Sequence, residues 1–366
     1  MPTDDLTTVT RHPFGTHPEG RYVERWELAH GDVTVSVLTY GGIVQSVRVP
    51  DRDGTVADVV LGFDDLAGYL ADTAFLGASV GRFGNRIAGG RFELDGHEHR
   101  LPQNHGEATL HGGPGGFHAQ VWDAEQVDGG ARLSLTSPDG QEGFPGTLQV
   151  AVTVTLGADG LRFDYRATTD APTVVSLTNH AYFTLGGTGS GTVEDHVVRL
   201  ASSRYVPVDE GLLPLPDLAD VDGTPFDFRE PTRLGDRLRS SDPQLLRAQG
   251  YDHCLLLDAW QGSTAATRDA AAGEPGGLPL AAHVHDPRSG RSLTVRTDQP
   301  GVQLYSGNFL DGTVVGRDRV TLRQGDGLCL ETEHLPDSPN RPDFPSTVLR
   351  PGEEYATSTS VALATA

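Results

Sequence analysis

The chain has 366 residues, of which 37% are hydrophobic and 21% charged, so a sizeable core is affordable and a disordered chain is excluded. Its formal net charge of −22 speaks against nucleic acid and against an anionic membrane surface as partners. Two cysteines, Cys254 and Cys329, sit inside apolar runs and predict buried free thiols rather than a disulfide scaffold.

The first residues, MPTDDLTTVTRHPFG, carry acids where a signal peptide needs bases and contain no apolar stretch. No segment approaches the roughly 18 apolar residues of a membrane span. The expectation is a soluble, cytoplasmic protein of one domain over residues 1–366.

Alternating strands are expected at Asp32–Thr39 and Ile43–Val49, broken by Gly41-Gly42. Pro50–Gly54 is turn chemistry, and Asp64–Leu70 can form one helical turn. Gly77–Gly90 is glycine-rich and carries Arg82, Asn85 and Arg86. Asp95-Gly96 predicts a two-residue hairpin between Arg91–Leu94 and His97–Leu101. Asn104–Phe117 reads as a loop, with His105 and His111.

Strands return at Arg132–Thr136, Thr147–Leu156, Leu161–Ala167, Val197–Leu200 and Tyr205–Val208. Pro231–Arg239 is the fair helix candidate, and Tyr251–Asp258 is a strand entered through polar residues. Gln261–Gly277 is low in complexity and predicts an exposed loop. Further strands follow to Tyr355–Leu363. Roughly twenty short strands with almost no helix predict an all-β protein: a large sandwich of two packed antiparallel sheets.

The strongest chemical signal is Gly327–Asn340, GLCLETEHLPDSPN. Glu331 emerges directly from an apolar run, and a carboxylate there needs a partner or a task. His180 lies within SLTNHAYFTL and is either a satisfied core histidine or an acid–base group. Arg86 is either a surface arginine or a five-donor fork for hydroxyls or a carboxylate. His111 in HGG and Asp252 before an apolar run likewise admit a loop or turn role beside a binding one. His97/His99 and His283/His285 each share a strand face without a third ligand at supporting spacing, which reads as exposed strand rather than metal site. A phosphate loop, a dinucleotide fingerprint and a GxSxG elbow are all missing.

Seven motifs in order, GRFGNRI, LHGG, TNHAYF, GTPFDFR, YDH, PGVQLYSGNF and LCLETEHLPDSPN, resemble the aldose 1-epimerase (galactose mutarotase) family, from about Tyr40 to Tyr355. The resemblance implies a β-sandwich with a sugar in an open cleft, and an isomerase that interconverts α and β anomers of free aldohexoses such as glucose and galactose. It casts Glu331 as general base and His180 as general acid. It makes Asn85, Arg86, His111, Asp252 and Gln303 sugar-binding or orienting residues, and it implies no metal or organic cofactor. The partner expected is a small-molecule sugar, with no nucleic acid and no membrane, on a monomer or homodimer.

Phe309 or Tyr182 would suit a sugar's apolar face. Thr184 stands where the family usually has Asn, and Gly84 where Ala is usual. The rival readings are a hexose-6-phosphate 1-epimerase, a non-catalytic carbohydrate-binding protein on the same fold, and a glycoside hydrolase pairing Glu331 with Asp252.

Overall fold

Residues 6–366 are described by a computed structural model. Thirty strands are present among them, with helices few and short. They form three larger antiparallel sheets and several two-stranded ribbons, where the strand count alone suggested two sheets.

A five-stranded sheet takes the N-terminal meander from Thr8–Thr16 to Val56–Asp58 in sequential order. A nine-stranded sheet runs from Asp123–Val127 through Leu148–Gly157, Gly160–Thr169, Tyr355–Thr365 and Arg291–Thr297 to Thr232–Arg233. The third sheet, of six strands, is ordered Tyr182–Phe183, Leu328–Glu333, Gly301–Tyr305, Asp252–Leu256, Arg204–Tyr205, Ala219–Asp220. Its strands are far apart in sequence, so local turn signals could not foretell their pairing.

One buried apolar cluster joins the three sheets. It includes Trp26 and Val35 from the first, Leu133, Val152 and Val295 from the second, and Leu255, Leu304 and Leu330 from the third. Period-two alternation then decides where the polar residues go. Thr332 meets Thr359 of the nine-stranded sheet at 2.7 Å, so Leu330 and Thr332 point into the sandwich. Cys329, Glu331 and Glu333 therefore point the other way. Gln303 is opposite Glu331 in register and Tyr305 opposite Cys329, and both share that outer face.

Local expectations are met where turn chemistry is strong. Asp95 and Gly96 take φ of 52° and 79°, the two positive values that a type I′ hairpin requires. Leu66–Leu70 forms a helical turn capped by Asp65. Two expectations need correction. Pro231–Arg239 holds a short strand, Thr232–Arg233, and only one helical turn, Gly235–Leu238. Gln261–Gly277 is no plain loop: Thr264–Ala270 is helical, started by the Ser263 hydroxyl, with Thr267 buried beneath it. Another helix, Pro243–Ala248, has Asp242 as its cap and Pro243 in its first turn.

Candidate active site

The six-stranded sheet's outer face is the floor of a cleft of about 460 Å³, within the range of small-ligand sites. Glu331, His180, Asn85, Arg86, His111 and Asp252 all line it. Segments up to 246 residues apart in sequence thus converge on one hollow (Asn85 to Glu331).

Glu331 comes directly off the sheet. His180 sits between the short strands Thr178–Asn179 and Tyr182–Phe183, its backbone held at both ends: its N–H donates to Ala78 and its carbonyl accepts from Gly77. The His180 Nε2 lies 3.5 Å from Glu331 Oε1. On the other side of the ring, Nδ1 meets the Cys329 thiol at 3.5 Å. One strand therefore supplies both the carboxylate and the group behind the imidazole.

His111 stands edge-on to His180, with ring centres 5.1 Å apart. Its own φ is +53°, and the next residue must be Gly: a β-carbon at Gly112 would come within 2.1 Å of the Gly81 carbonyl oxygen. The Asn85 backbone N–H donates to His111 Nδ1 at 3.1 Å. That fixes the neutral tautomer with hydrogen on Nε2, the nitrogen left for the cleft.

Arg86 is held in a fork. Its Nη2 is 3.3 Å from Asp252 Oδ2 and its Nη1 3.3 Å from Asn85 Oδ1. Gln303 donates to Asp252 Oδ1 at 2.6 Å. Gln303 does not line the cleft; it stands behind Asp252 and orients it. Arg86 Nε and Glu331 Oε2 have no hydrogen-bond partner among the described residues, and both belong to side chains facing the cleft.

The charges of the floor are crowded. Burial, then the neighbours Glu333 and Asp252, push the Glu331 carboxyl well above the usual carboxylate range, with Arg86 opposing. Burial pulls His180 down to about 4 and holds His111 well below the ordinary imidazole value. Burial thus disfavours the charged form of both groups, and a proton shared by the Glu331–His180 pair is favoured on Glu331. An isolated ion pair, with ionised Glu331 and charged His180, differs only by moving that proton across the gap.

Ligand atoms of His111, His180 and Glu331 all lie within 4.8 Å of one another, a spacing that would also admit a cation. His111 argues against one. Its Nδ1 lone pair is engaged by Asn85, so Nε2 offers a hydrogen and not a lone pair.

The remaining sequence candidates divide cleanly. Arg82 turns away from the cleft and donates to carbonyls of Ser137, Pro138, Pro145 and Gly146. Asn179 braces Gly77. Thr184 is buried and pairs through its backbone with Val59, so the bonds that hold His180 do not run through it. Phe309 is half-exposed at the rim and stacked on Tyr305, while Tyr182 is buried beside His180. His97/His99 and His283/His285 lie on strands outside the cleft. Sequence reasoning missed Phe75, which packs edge-on to His111, and Glu333, whose signal was its two-residue spacing from Glu331.

Comparison with known proteins identifies the family. Residues 24–362 match the family described as aldose 1-epimerase. Galactose mutarotase of Rattus norvegicus is 43% identical over 351 residues, covering 96% of this chain and 97% of the relative. Aldose 1-epimerase of Escherichia coli (strain K12) is 40% identical over 331 residues, covering 89% and 91%. Among solved structures, galactose 1-epimerase from Lactobacillus acidophilus NCFM superposes with a TM-score of 0.81 at 27% identity, covering 98% of this chain and 99% of that one. A GalM/aldose epimerase homologue from C. elegans gives 0.81 at 27% identity, covering 91% and 96%. With nearly its full length matched in sequence and in fold, the chain belongs to the aldose 1-epimerase family and is an isomerase.

Proposed function

We propose that this protein interconverts the α and β anomers of free aldohexoses such as galactose and glucose, with Glu331 as base and His180 as acid. The observation that carries the reading is the 3.5 Å pairing of His180 Nε2 with Glu331 Oε1 on the floor of an open cleft.

Glu331 takes the proton of the C1 hydroxyl while His180 gives its Nε2 proton to the ring oxygen. The C1–O5 bond breaks, leaving the open-chain aldehyde, a protonated Glu331 and a neutral His180. Rotation about C1–C2 presents the other aldehyde face. His180 then removes the proton from the C5 hydroxyl as its oxygen attacks C1, and Glu331 returns a proton to O1. Each cycle restores the starting state. Ring opening turns an ion pair into a neutral pair, the direction that burial favours. The low-dielectric floor thus offsets part of the cost of forming the aldehyde. Single acid–base contributions of ~10²–10⁴-fold each are adequate for a reaction that is not slow without catalysis.

Arg86, Asn85, Asp252 and His111 hold the sugar hydroxyls, Gln303 orients Asp252, and Phe309 offers an apolar ring face. Arg86 is the one Arg or Lys among the lining residues and is already paired, against Asp72, Asp252, Asp311 and Glu331 on the same walls. That balance favours a free sugar over a sugar phosphate. Both oxygens of Asp252 are engaged, by Gln303 and Arg86, which disfavours a hydrolase pair with Glu331.

The core cluster runs from Trp26 to Val361, which supports one domain. No helix among the described residues is long and apolar enough to cross a membrane. The reading keeps a sugar-binding monomer or homodimer in the cytoplasm, and the net charge of −22 disfavours a nucleic-acid partner.

Polarimetry on freshly dissolved α-D-glucose and α-D-galactose tests the reading. Faster approach to the same final rotation is expected. No acceleration with either sugar would overturn it.

A further inference from the structure

Glu333 is a buried acid for which the mechanism above has no use. It lies two residues beyond Glu331 on the same strand face, is inaccessible to solvent, and does not line the cleft. Its Oε1 accepts from Asn85 Nδ2 at 3.0 Å. We propose that Glu333 is a positioning residue for sugar binding: it anchors the Asn85 amide by its nitrogen end and so turns the amide oxygen onto Arg86.

An amide has a donor end and an acceptor end. Once Nδ2 is held by Glu333, Oδ1 must face the other way. There it receives the Arg86 backbone N–H at 2.9 Å and Arg86 Nη1 at 3.3 Å. Arg86 then reaches Asp252, which Gln303 holds from behind. A continuous run of hydrogen bonds passes under the cleft from the Leu328–Glu333 strand to the neighbouring Gly301–Tyr305 strand. Its outer member, Glu333, decides which way the first amide points.

The space for this side chain is built by the absence of others. A β-carbon at Gly84 would stand 2.8 Å from Glu333 Oε2. The residue facing Glu333 across the ladder is Gly301. A larger residue at Gly84 would oblige the Glu333 carboxyl end to shift.

The charge balance defines what Glu333 contributes. Asp252, Glu331 and Glu333 share one guanidinium, and burial raises the Glu333 carboxyl to about 8. As a neutral acid it still accepts from Asn85 through its carbonyl oxygen. The arrangement needs an acceptor at this point and no third negative charge.

The inference rests on the reading of the cleft as a sugar site, and the test separates the two. Wild type, Glu333→Gln, Glu333→Leu, Asn85→Ala and Asn85→Ala/Glu333→Leu are compared by polarimetric KM and kcat and by calorimetric galactose binding, with folding checked by circular dichroism. Glu333→Leu fills the space without an acceptor; KM should rise ~10-fold, about one hydrogen bond, with a smaller change in kcat. Glu333→Gln should restore KM to within about 2-fold. In the Asn85→Ala background, Glu333→Leu should add little. A wild-type KM in Glu333→Leu would reduce the residue to packing and overturn the proposal. So would a Gln variant as impaired as Leu, or full additivity with Asn85→Ala. A wild type that neither binds nor turns over galactose would instead refute the sugar-site reading itself.

Discussion

His180 Nε2 and Glu331 Oε1 face each other across 3.5 Å, each on a side chain almost wholly buried. Two coupled groups of this kind titrate as a unit, so their pH behaviour belongs to the pair. Burial lowers the imidazole to about 4, and a second proton therefore enters only far below the ordinary imidazole range.

The acid limb of kcat should accordingly fall toward pH 4, as the pair gains its second proton and Glu331 can no longer act as base. A pH–rate profile from initial rotation rates measures this. A limb at the ordinary imidazole value, ~6.5, would place the acid elsewhere.

Arg86→Lys should raise KM on the order of 10- to 100-fold while leaving the fold intact. A lysine cannot reproduce the fork that meets Asp252 and Asn85 together. Steady-state kinetics with galactose would show it, and an unchanged KM would remove Arg86 from the sugar site.

Neighbouring residues on one strand should fail in different ways. Leu304 is fully buried in the sandwich core, so Leu304→Ala should cost ~2–5 kcal/mol of stability by thermal or urea unfolding. Gln303 faces outward and holds Asp252, so Gln303→Ala should act chiefly on KM. If both variants lost stability alike, the assignment of the two faces would be wrong.

Glu333 also makes a stability prediction. Its folded value, about 8, lies above the ordinary 4.5, so the folded state binds the proton more tightly. Its contribution is complete at acid pH and is lost as pH rises from about 4.5 to about 8. Glu333→Gln should therefore flatten the fall in melting temperature between about pH 6 and 8. Identical slopes for variant and wild type would contradict the protonated state.

Much of this site was legible before the fold was known, because alternation is a strong rule. Glu331 directly after Leu328–Leu330 had to lie on the face opposite Leu330, and Asp95-Gly96 could close only one kind of hairpin. What escaped was set by distance in sequence. The pairing of Leu328–Glu333 with Gly301–Tyr305 and Tyr182–Phe183 has no local signal, so Gln303 could not be seen to stand behind Asp252. Glu333 was visible at the right spacing, but its role depends on Asn85, 248 residues away. The helix Thr264–Ala270 was hidden in a stretch of small residues because its stability comes from the Ser263 cap and the buried Thr267, not from an apolar stripe.

The most direct test of the acid–base pair is polarimetry on Glu331→Gln, His180→Asn and the double variant, with galactose binding measured in parallel. Groups that pass protons in one concerted step act as a unit, so each single variant should lose ~10²–10⁴-fold in kcat while still binding sugar, and the double variant should lose little more. Near-full activity in either single variant, or losses that multiply in the double, would contradict the pairing of Glu331 with His180.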